Sequence, residues 1–508
     1  MKNVSSYTGS SAPDHYLAYA FATIPTIKGE VSGGLPSVIA EELRRRISST
    51  RASDLHIISA DQSSVELTDM QARVIAAQPE TKANNEKFQI WFDEEWALFH
   101  PDIATLSGAS PEILTQMFQG EYTQPQGSVE RMLEHFDKYG LFKNHKGANP
   151  LEVFTDRFDQ AVNNIKPGTV VNWQDFFFTN VILRNAKKLR SKGCYQTFHL
   201  HVTLPPNLYL SERGKETLKA LSLMDRVYLH TDQYVKNLQR QLERLDLPVP
   251  DIRRFDLGID RRAMDQGLKE VGKENYQERP EFQTLNYEEK GTLSEIYDSQ
   301  DVIPHRFICI DRTDQIKGPH VVVGAIDKYL GNLGLNIEEL RKKYRFFFVN
   351  DDEKRISFDK YNLKHQYIKY TKDALRSLIS KYPGVIFNCH SIPRIFIPSS
   401  LSGAHSMTGG IQEGLNLATQ ESLYVNATLG KNNTAIIGTG TGFAMQTMDD
   451  GYGHLASFSK AGSVGNFVNH LGIVVKEAEE HPTVIGNRTR EMLAKVINKR
   501  TDSIIVNP

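Results

Sequence analysis

Two segments of the sequence carry residue types suited to holding a diphosphate. The first contains Arg312 and Lys317, five residues apart, directly after the apolar run 307–310. Such a run is typical of a buried parallel strand. Both cations then lie at the carboxyl end of a strand, where open α/β sheets bind their ligands. A guanidinium and an ammonium fixed there would neutralise the negative charge that develops on a departing diphosphate.

The second segment, residues 413–421, has the pattern of a loop that enters a helix. Backbone N–H groups near Asn416 and Leu417 are then placed to bind phosphate oxygens at the helix amino terminus. Glu421, further along the helix, could accept hydrogen bonds from both hydroxyls of a ribose. Together the two segments predict a site for a nucleotide diphosphate-sugar.

The elements that must position these residues follow from the alternation of strand-like apolar runs with amphipathic stretches. This alternation predicts an α/β fold with two Rossmann-like domains that face a central cleft. A chain of 508 residues is expected to have two domains, because single cores stop growing at about 250 to 300 residues. We place the first domain at residues 1–258 and the second, the nucleotide-sugar domain, at 305–508. The charged stretch 259–304 is predicted to be a polar linker or insertion with little core.

Composition excludes several classes of partner. The formal net charge is -1, from 60 basic and 61 acidic residues, so no global field attracts nucleic acid or an anionic membrane. A small-molecule ligand is favoured instead. We find no export signal and no run of eighteen apolar residues, and the three cysteines are far apart in sequence. These features predict a cytoplasmic protein, and a homo-oligomer remains open.

Several further side chains each have a functional and a structural interpretation. Asp175 follows an apolar strand, so it either projects into the cleft or caps the next helix. His199 and His201 alternate on one predicted strand and share a face, which points to the cleft or to the core. The pair Gly33 and Gly34 precedes a helical pattern, where it either lets the backbone approach a ligand or forms a plain turn. No third ligand has a helpful spacing to the two histidines, so zinc is not predicted.

Seven segments follow one another in a fixed order between about residues 30 and 460. They are Gly33-Gly34-Leu35, Trp96-x-x-Phe99-His100, Asp175, Leu200-His201-Val202-x-x-Pro205, Gly258-Ile259-Asp260, Asp311-Arg312-x-Asp314-x-x-Lys317-Gly318, and Glu413-Gly414-Leu415-Asn416-Leu417 with Glu421. This order resembles the trehalose-6-phosphate synthase family of retaining glycosyltransferases. The arginine-lysine segment and the Gly-Leu-Asn-Leu segment are the most specific parts of the resemblance.

The resemblance implies a glycosyltransferase fold of the B type, with UDP-glucose or a related nucleotide sugar held mainly by the second domain. It assigns residues to the donor in three groups. Gly34, with Gly33 beside it, would let the first-domain loop close over the phosphates. The diphosphate and ribose would be bound by Arg312, Lys317, Asn416, Leu417 and Glu421. The transferred sugar would be contacted by Asp175, His201 and Glu413.

The resemblance also implies a mechanism that needs no cofactor and no metal. The acceptor attacks the front face of the sugar, and the departing phosphate oxygen itself takes the acceptor's proton. The anomeric configuration is thereby retained without a protein base. The predicted reaction transfers a hexose, glucose by the resemblance, from the nucleotide diphosphate sugar to a phosphorylated small acceptor.

The acceptor side departs from the family's pattern. Trp96 and Arg355 match acceptor-binding positions, but the amino-terminal arginine of the family is absent here, and Lys87 could supply replacement charge. Losing one charge-assisted hydrogen bond without replacement would weaken binding of glucose 6-phosphate by roughly ten- to a hundredfold. Glycerol 3-phosphate and a cyclitol phosphate are therefore alternative acceptors.

Three further departures motivate a different class of function. Glu413 stands where the family carries an aspartate, and Gln174 and Phe178 stand where histidines are usual. A non-catalytic module that binds a sugar nucleotide and regulates another process is the alternative that they raise.

Overall fold

The computed structural model describes part of the chain. The described residues are 15–19, 55–59, 73–76, 159, 162–163, 165–174, 178–202, 204–255, 259, 261–311, 317–349, 362–390, 392–408, 417–431, 434–439, 454–456, 463–482, 487 and 491.

The described residues of the amino-terminal half form a parallel sheet of seven strands. In space the strands follow the order β3-β2-β1-β4-β5-β6-β7. Each pairing is parallel, with β1 lying between β2 and β4. The strands are β1 (His15–Tyr19), β2 (Leu55–Ser59), β3 (Arg73–Ala76), β4 (Val170–Gln174), β5 (Tyr195–His199), β6 (Arg226–Leu229) and β7 (Asp251–Arg254).

Three helices follow strands of this sheet, and side-chain caps start two of them. The helices are α1 (Thr179–Ser191), α2 (Glu212–Ser222) and α3 (Asp232–Arg244). The hydroxyls of Ser211 and Thr231 accept hydrogen bonds from the first-turn amides of α2 and α3, which satisfies donors that lack intrahelical partners. The helices bury their apolar faces on the sheet in a cluster around Trp173 and Phe178, whose rings lie 5.5 Å apart.

The segment predicted as a polar linker or insertion is helical, and the expectation that it carries little core was wrong. It forms α4 (Arg261–Glu270), α5 (Pro280–Gln283) and α6 (Tyr287–Asp298), with a 3₁₀ turn at Tyr276–Glu278. Met264, Leu293 and Tyr297 are fully buried, in one cluster with Ile308 and Phe347 of the second sheet. The high charge of the segment belongs to the outward helix faces, and the inward faces keep apolar residues at helical spacing.

The second sheet has six parallel strands among the described residues, in the order β10-β9-β8-β11-β12-β13. The strands are β8 (His305–Ile310), β9 (Tyr344–Val349), β10 (Ile386–Cys389), β11 (His405–Thr408), β12 (Ile436–Thr439) and β13 (His454–Ala456). The helices that accompany them are α7 (Pro319–Asn332), α8 (Ile337–Lys343), α9 (Asn362–Lys381), α10 (Ile397–Leu401), α11 (Leu417–Thr428) and α12 (Ser463–Glu480). A 3₁₀ turn at Arg394–Phe396 precedes α10.

The two sheets share one winding pattern. In each, the chain lays down three strands in one direction and then returns to continue on the other side of the first, so the order reverses between β1 and β4 and between β8 and β11. Ligands of open α/β sheets bind outside the carboxyl ends of the strands at such a reversal. The predicted α/β class with two parallel sheets is confirmed. The domain limits at 258 and 305 stay predictions. Among the described helices, none is long and apolar enough to cross a membrane.

Candidate functional site

Lys317 lies where the strand order of the second sheet reverses. Asp311 directly follows β8, and its backbone N–H donates to the carbonyl of Val349 on the neighbouring strand. The Nζ atom of Lys317 is 3.8 Å from Oδ1 of Asp311, and the carboxylate is buried while the lysine is mostly buried. The loop after β8 therefore holds a cation at the carboxyl edge of the sheet, anchored by a buried carboxylate on the same loop.

The start of α7 fixes the end of this loop. Gly318 caps the helix with a left-handed backbone, at φ 54° and ψ 39°, a conformation that glycine adopts without steric cost. Pro319 follows at the first helical position, where its missing N–H breaks no hydrogen bond. Lys317 therefore lies between the carboxyl end of β8 and the amino terminus of α7.

Glu421 lies one turn into α11 and is 3% exposed. Its carboxylate accepts hydrogen bonds from both terminal nitrogens of Arg394, with Nη1 3.2 Å from Oε2 and Nη2 bonded to Oε1. This is a bidentate ion pair, the geometry that best matches a guanidinium to a carboxylate. A carboxylate has about four acceptor positions, so two remain for other donors such as ligand hydroxyls.

The first sheet places a different kind of group at its carboxyl edge. His201 follows β5 by two residues, and its Nε2–H donates to Oε1 of Gln174, the last residue of β4, at 2.7 Å. Nδ1 of His201 and the amide nitrogen of Gln174 are both buried and have no hydrogen-bond partner among the described residues. One acceptor and one amide donor therefore lie beside the point where this sheet reverses.

Two more histidines pack behind His201. The rings of His199 and His230 lie 6.3 Å and 5.4 Å from that of His201. His199 also stacks on Tyr228 at 4.5 Å and meets the edge of Phe255 at 5.2 Å. Burial, with smaller contributions from His230 and His199, holds the pKa of His201 well below its usual range. Burial lowers the pKa of His199 to about 3, so both rings are neutral at physiological pH.

The single strand predicted to carry both His199 and His201 is shorter in the structure, since β5 ends at His199. His199 is a core residue and His201 lies beyond the strand, but their rings remain stacked with an interplanar angle of 17°. No group of three or more metal-ligating side chains with metal-site geometry occurs in the part of the chain that the structure describes.

Most of the other predicted site residues lie outside the described residues, so their roles stay predictions. The helix that starts at Leu417 agrees with the predicted loop and helix. The residues without a described position are Gly33, Gly34, Lys87, Trp96, Asp175, Arg312, Arg355, Glu413 and Asn416.

Two residues at these edges were not identified from the sequence. Arg394 precedes Glu421 by 27 positions, and His230 follows His201 by 29. Arg394 lies in a short apolar run between Pro393 and Phe396. An arginine isolated in such a run is a signal for a buried carboxylate partner, although it cannot name that partner.

Comparison with known proteins gives a match of structure alone. No protein-family model and no curated protein sequence matches the chain. It is similar to an alpha,alpha-trehalose-phosphate synthase (UDP-forming) from Burkholderia vietnamiensis, with a TM-score of 0.64, 11% identity and 96% of each chain covered.

Two ligand complexes are similar as well. One is the synthase from Burkholderia xenovorans in complex with glucose-6-phosphate, with a TM-score of 0.63, 12% identity and coverage of 95% of this chain and 96% of that chain. The other is the E. coli trehalose-6-phosphate structure bound with UDP-2-fluoro glucose, with a TM-score of 0.60, 12% identity and the same coverage. Over nearly its whole length, the chain has the glycosyltransferase B fold of these trehalose-phosphate synthase structures.

Proposed function

We propose that the chain is a retaining glycosyltransferase that moves glucose from a nucleotide diphosphate sugar, UDP-glucose, to a phosphorylated small acceptor. The observation that carries the proposal is the position of Lys317, a mostly buried ammonium on the loop after β8, at the strand reversal of the second sheet. A diphosphate leaving group needs fixed positive charge at such a place. The fold match, which includes complexes with glucose-6-phosphate and with UDP-2-fluoro glucose, supports the same substrates here.

In the proposed reaction, Lys317 and Arg312 neutralise the diphosphate as the bond between the sugar C1 and the β-phosphate oxygen breaks. The acceptor oxygen forms its bond to C1 on the same face, and its proton passes to the departing phosphate oxygen. The protein supplies positioning and charge rather than a base. Glu421 holds the ribose with the acceptor positions that Arg394 leaves open.

The first sheet supports the sugar end of this proposal. His201 is kept neutral by burial, and its Nε2–H is committed to Gln174. Nδ1 is then a hydrogen-bond acceptor and the Gln174 amide is a donor, which together suit a sugar hydroxyl. Because the His201–Gln174 pair carries no charge, it suits an uncharged polar ligand. A buried cation at this place would attract phosphate instead.

The test is product analysis with purified protein, UDP-glucose and a panel of acceptors: glucose 6-phosphate, glycerol 3-phosphate and a cyclitol phosphate. NMR of the product should show an α-linked glucoside that retains the donor configuration, with UDP released in equal amount. The accepted phosphate ester identifies the acceptor. Donor binding without hydrolysis or transfer for every acceptor would contradict the proposal.

A non-catalytic module that binds a nucleotide sugar is the second candidate, and the ion pair between Arg394 and Glu421 favours it. The carboxylate expected at the ribose is already held by a guanidinium. In a binding module this pair would stay closed, and isothermal titration would show donor binding while hydrolysis and transfer are absent for every acceptor. In an enzyme, the transferred sugar contributes to binding through the first sheet, and the donor binds more tightly than UDP.

A further inference from the structure

A polar cavity of about 230 Å³ lies at the opposite edge of the second sheet from the candidate site. Its walls include Asp301, Arg306, Ser402, Gly403 and Lys431. These residues surround the amino-terminal ends of β8 and β11, which begin at 305 and 405. Arg306 is the second residue of β8 and Asp311 directly follows the strand, so the two are five residues apart, or about 16 Å at roughly 3.3 Å per residue. The cavity is therefore separate from the site at the carboxyl edge.

Arg306 brings a buried positive charge to this cavity. It is 2% exposed, and its guanidinium donates to the Ser299 hydroxyl at 3.1 Å and to the carbonyls of Ser402 and Ile296 at 2.7 and 2.8 Å. All three acceptors are neutral, and they use three of the five N–H groups of an arginine. Its guanidinium carbon also lies 5.8 Å from the Phe347 ring centroid.

The nearest carboxylates do not neutralise this charge by direct contact. Among the described residues, no carboxylate lies within ion-pair distance of Arg306. Glu295 bonds Arg345 at 2.6 Å, and Asp301 bonds Lys431 at 2.8 Å. Buried charges in proteins are normally paired, so an arginine with only neutral hydrogen-bond acceptors beside a cavity is the exception that indicates an anionic ligand.

Lys431 supplies a second cation, and Gly403 lies beside both cations. A Cβ added at Gly403 would lie 3.7 Å from Nη1 of Arg306 and 4.0 Å from Cδ of Lys431. Gly403 also has a left-handed backbone, with φ 67°, which other residues rarely adopt. The amide N–H of Gly403 donates to Oδ1 of Asn426 on α11 at 2.7 Å, which fixes this wall of the cavity.

We propose that this cavity is a binding site for a small phosphoryl anion, held by Arg306 and Lys431. Two cations face one carboxylate there, so the local charge favours an anion. A planar guanidinium and a mobile ammonium are both common phosphate ligands. The volume is below the 300 to 1,000 Å³ of typical organic ligand sites, which favours free phosphate or a compact phosphomonoester. In this arrangement the anion competes with Asp301 for Lys431. The proposal does not depend on the transferase activity.

The test is isothermal titration of the full chain with inorganic phosphate at low ionic strength. Two variants are compared, and their expected effects on phosphate affinity are opposite. Lys431→Gln should weaken phosphate binding by roughly ten- to a hundredfold, since one charge-assisted hydrogen bond is lost. Asp301→Asn should strengthen binding, because Lys431 no longer has a competing carboxylate. Both side chains are partly exposed, so neither change removes a core contact.

The chain offers a matched control in Lys381 and Asp327, a surface pair whose N···O distance is 2.7 Å. Lys381→Gln and Asp327→Asn should leave phosphate affinity unchanged. Equal affinity in the parent and in Lys431→Gln would overturn the proposal. So would phosphate binding that is lost in Lys317→Ala instead, because the anion would then occupy the site at the other edge of the sheet.

One further titration, with glycerol 3-phosphate, identifies the source of the phosphoryl group, and it is made on the parent and on the Lys431→Gln variant. Glycerol 3-phosphate binding more tightly than phosphate indicates a phosphomonoester, and the reverse order indicates the free anion. If neither ligand binds the parent at millimolar concentration, the proposal is wrong.

Discussion

The carboxyl edges of the two sheets have the same pattern of strand order, but the described groups beside the two reversals differ in charge. The edge of the second sheet holds ionised side chains in pairs, Lys317 with Asp311 and Arg394 with Glu421. Beside the reversal of the first sheet the described groups are neutral and polar, with His201 bonded to Gln174. The ion pair of Arg254 with Asp232 lies farther along that edge, at the end of β7 and after β6. A ligand that is charged at one end and neutral at the other, as a nucleotide sugar is, fits this division. The comparison teaches that one winding pattern can serve either chemistry, because the edge residues alone decide it.

The largest expected effect comes from removing charge at the second edge. Lys317→Ala should lower kcat for glucose transfer by roughly a hundred- to a thousandfold, the loss seen when one fixed electrostatic group at a transition state is removed. Initial rates with UDP-glucose, and circular dichroism to check folding, measure this. Lys381→Ala, an exposed ammonium paired with Asp327, is the matched control. Equal rates for Lys317→Ala and the parent would show that the charge at the edge of the second sheet does not contribute to glucose transfer.

The next effect concerns stability. Arg394→Met leaves the carboxylate of Glu421 buried without its guanidinium, and we expect the free energy of unfolding to fall by about 3 kcal/mol. We choose the low end of the usual range because the side chain of Arg394 is 39% exposed. Urea denaturation measures the change.

The control for this prediction is a surface pair. Lys381→Met should cost less than about 1 kcal/mol, because exposed ion pairs contribute little. Adding Glu421→Gln to Arg394→Met should restore part of the loss, since the buried charge is then gone. A loss from Arg394→Met no larger than that from Lys381→Met would mean that the pair at the second edge behaves as a surface pair.

The first edge should make the protein sensitive to acid. His199 has a folded-state pKa of about 3, against about 6.5 in the unfolded chain. Above pH 6.5 neither state binds a proton at this ring. Below it the unfolded state gains a proton that the folded state does not, so stability falls by about 1.4 kcal/mol per pH unit. At pH 5 the loss from His199 is about 2 kcal/mol.

The measurement is urea denaturation of the parent and of His199→Phe at pH 7.5 and pH 5.0. The variant should lose about 2 kcal/mol less between the two pH values than the parent loses. His201 acts in the same direction, because its pKa is also lowered. Identical losses in the two proteins would assign the acid sensitivity to other groups.

The smallest effect is expected for the sugar contact. His201→Ala removes one neutral hydrogen bond of about 0.5 to 1.5 kcal/mol, so the transfer rate should fall roughly two- to tenfold. UDP affinity should stay the same, because UDP lacks the glucosyl group that would reach the first sheet. Isothermal titration and initial rates measure the two quantities. Weakened UDP binding would show that the neutral edge also contacts the nucleotide.

The sequence predicts the framework of the fold well where apolar runs are continuous. The apolar run 307–310 was predicted as a buried strand, and β8 covers His305–Ile310. The stretch 261–298 was misjudged because charged residues dominate its composition, while its core depends on a few apolar positions that only the packed helices bring together. Composition counts the residues of both helix faces together, whereas only the inward face is buried in the core.

Site residues divide in a similar way. Lys317 was predicted as a site residue because its chemistry is local to one loop after one strand, and its role stays a prediction. The partner of Glu421 was not predicted. Arg394 lies in the 3₁₀ turn before α10, whereas Glu421 lies in α11, so only the packed structure brings the two side chains together. Pairings of this kind are set by tertiary packing, which leaves no periodic trace in the sequence.

The cysteines allow the unfolding of the chain to be followed without any added label. All three are free and buried, and each belongs to a different cluster: Cys194 to the first sheet, Cys309 to the α7 and α12 side of the second, and Cys389 to the side covered by α4 and α6. A thiol reagent can modify each one only when its own cluster opens. The order in which the three sulfurs react, read by mass spectrometry in rising urea, would therefore give the order in which these layers come apart.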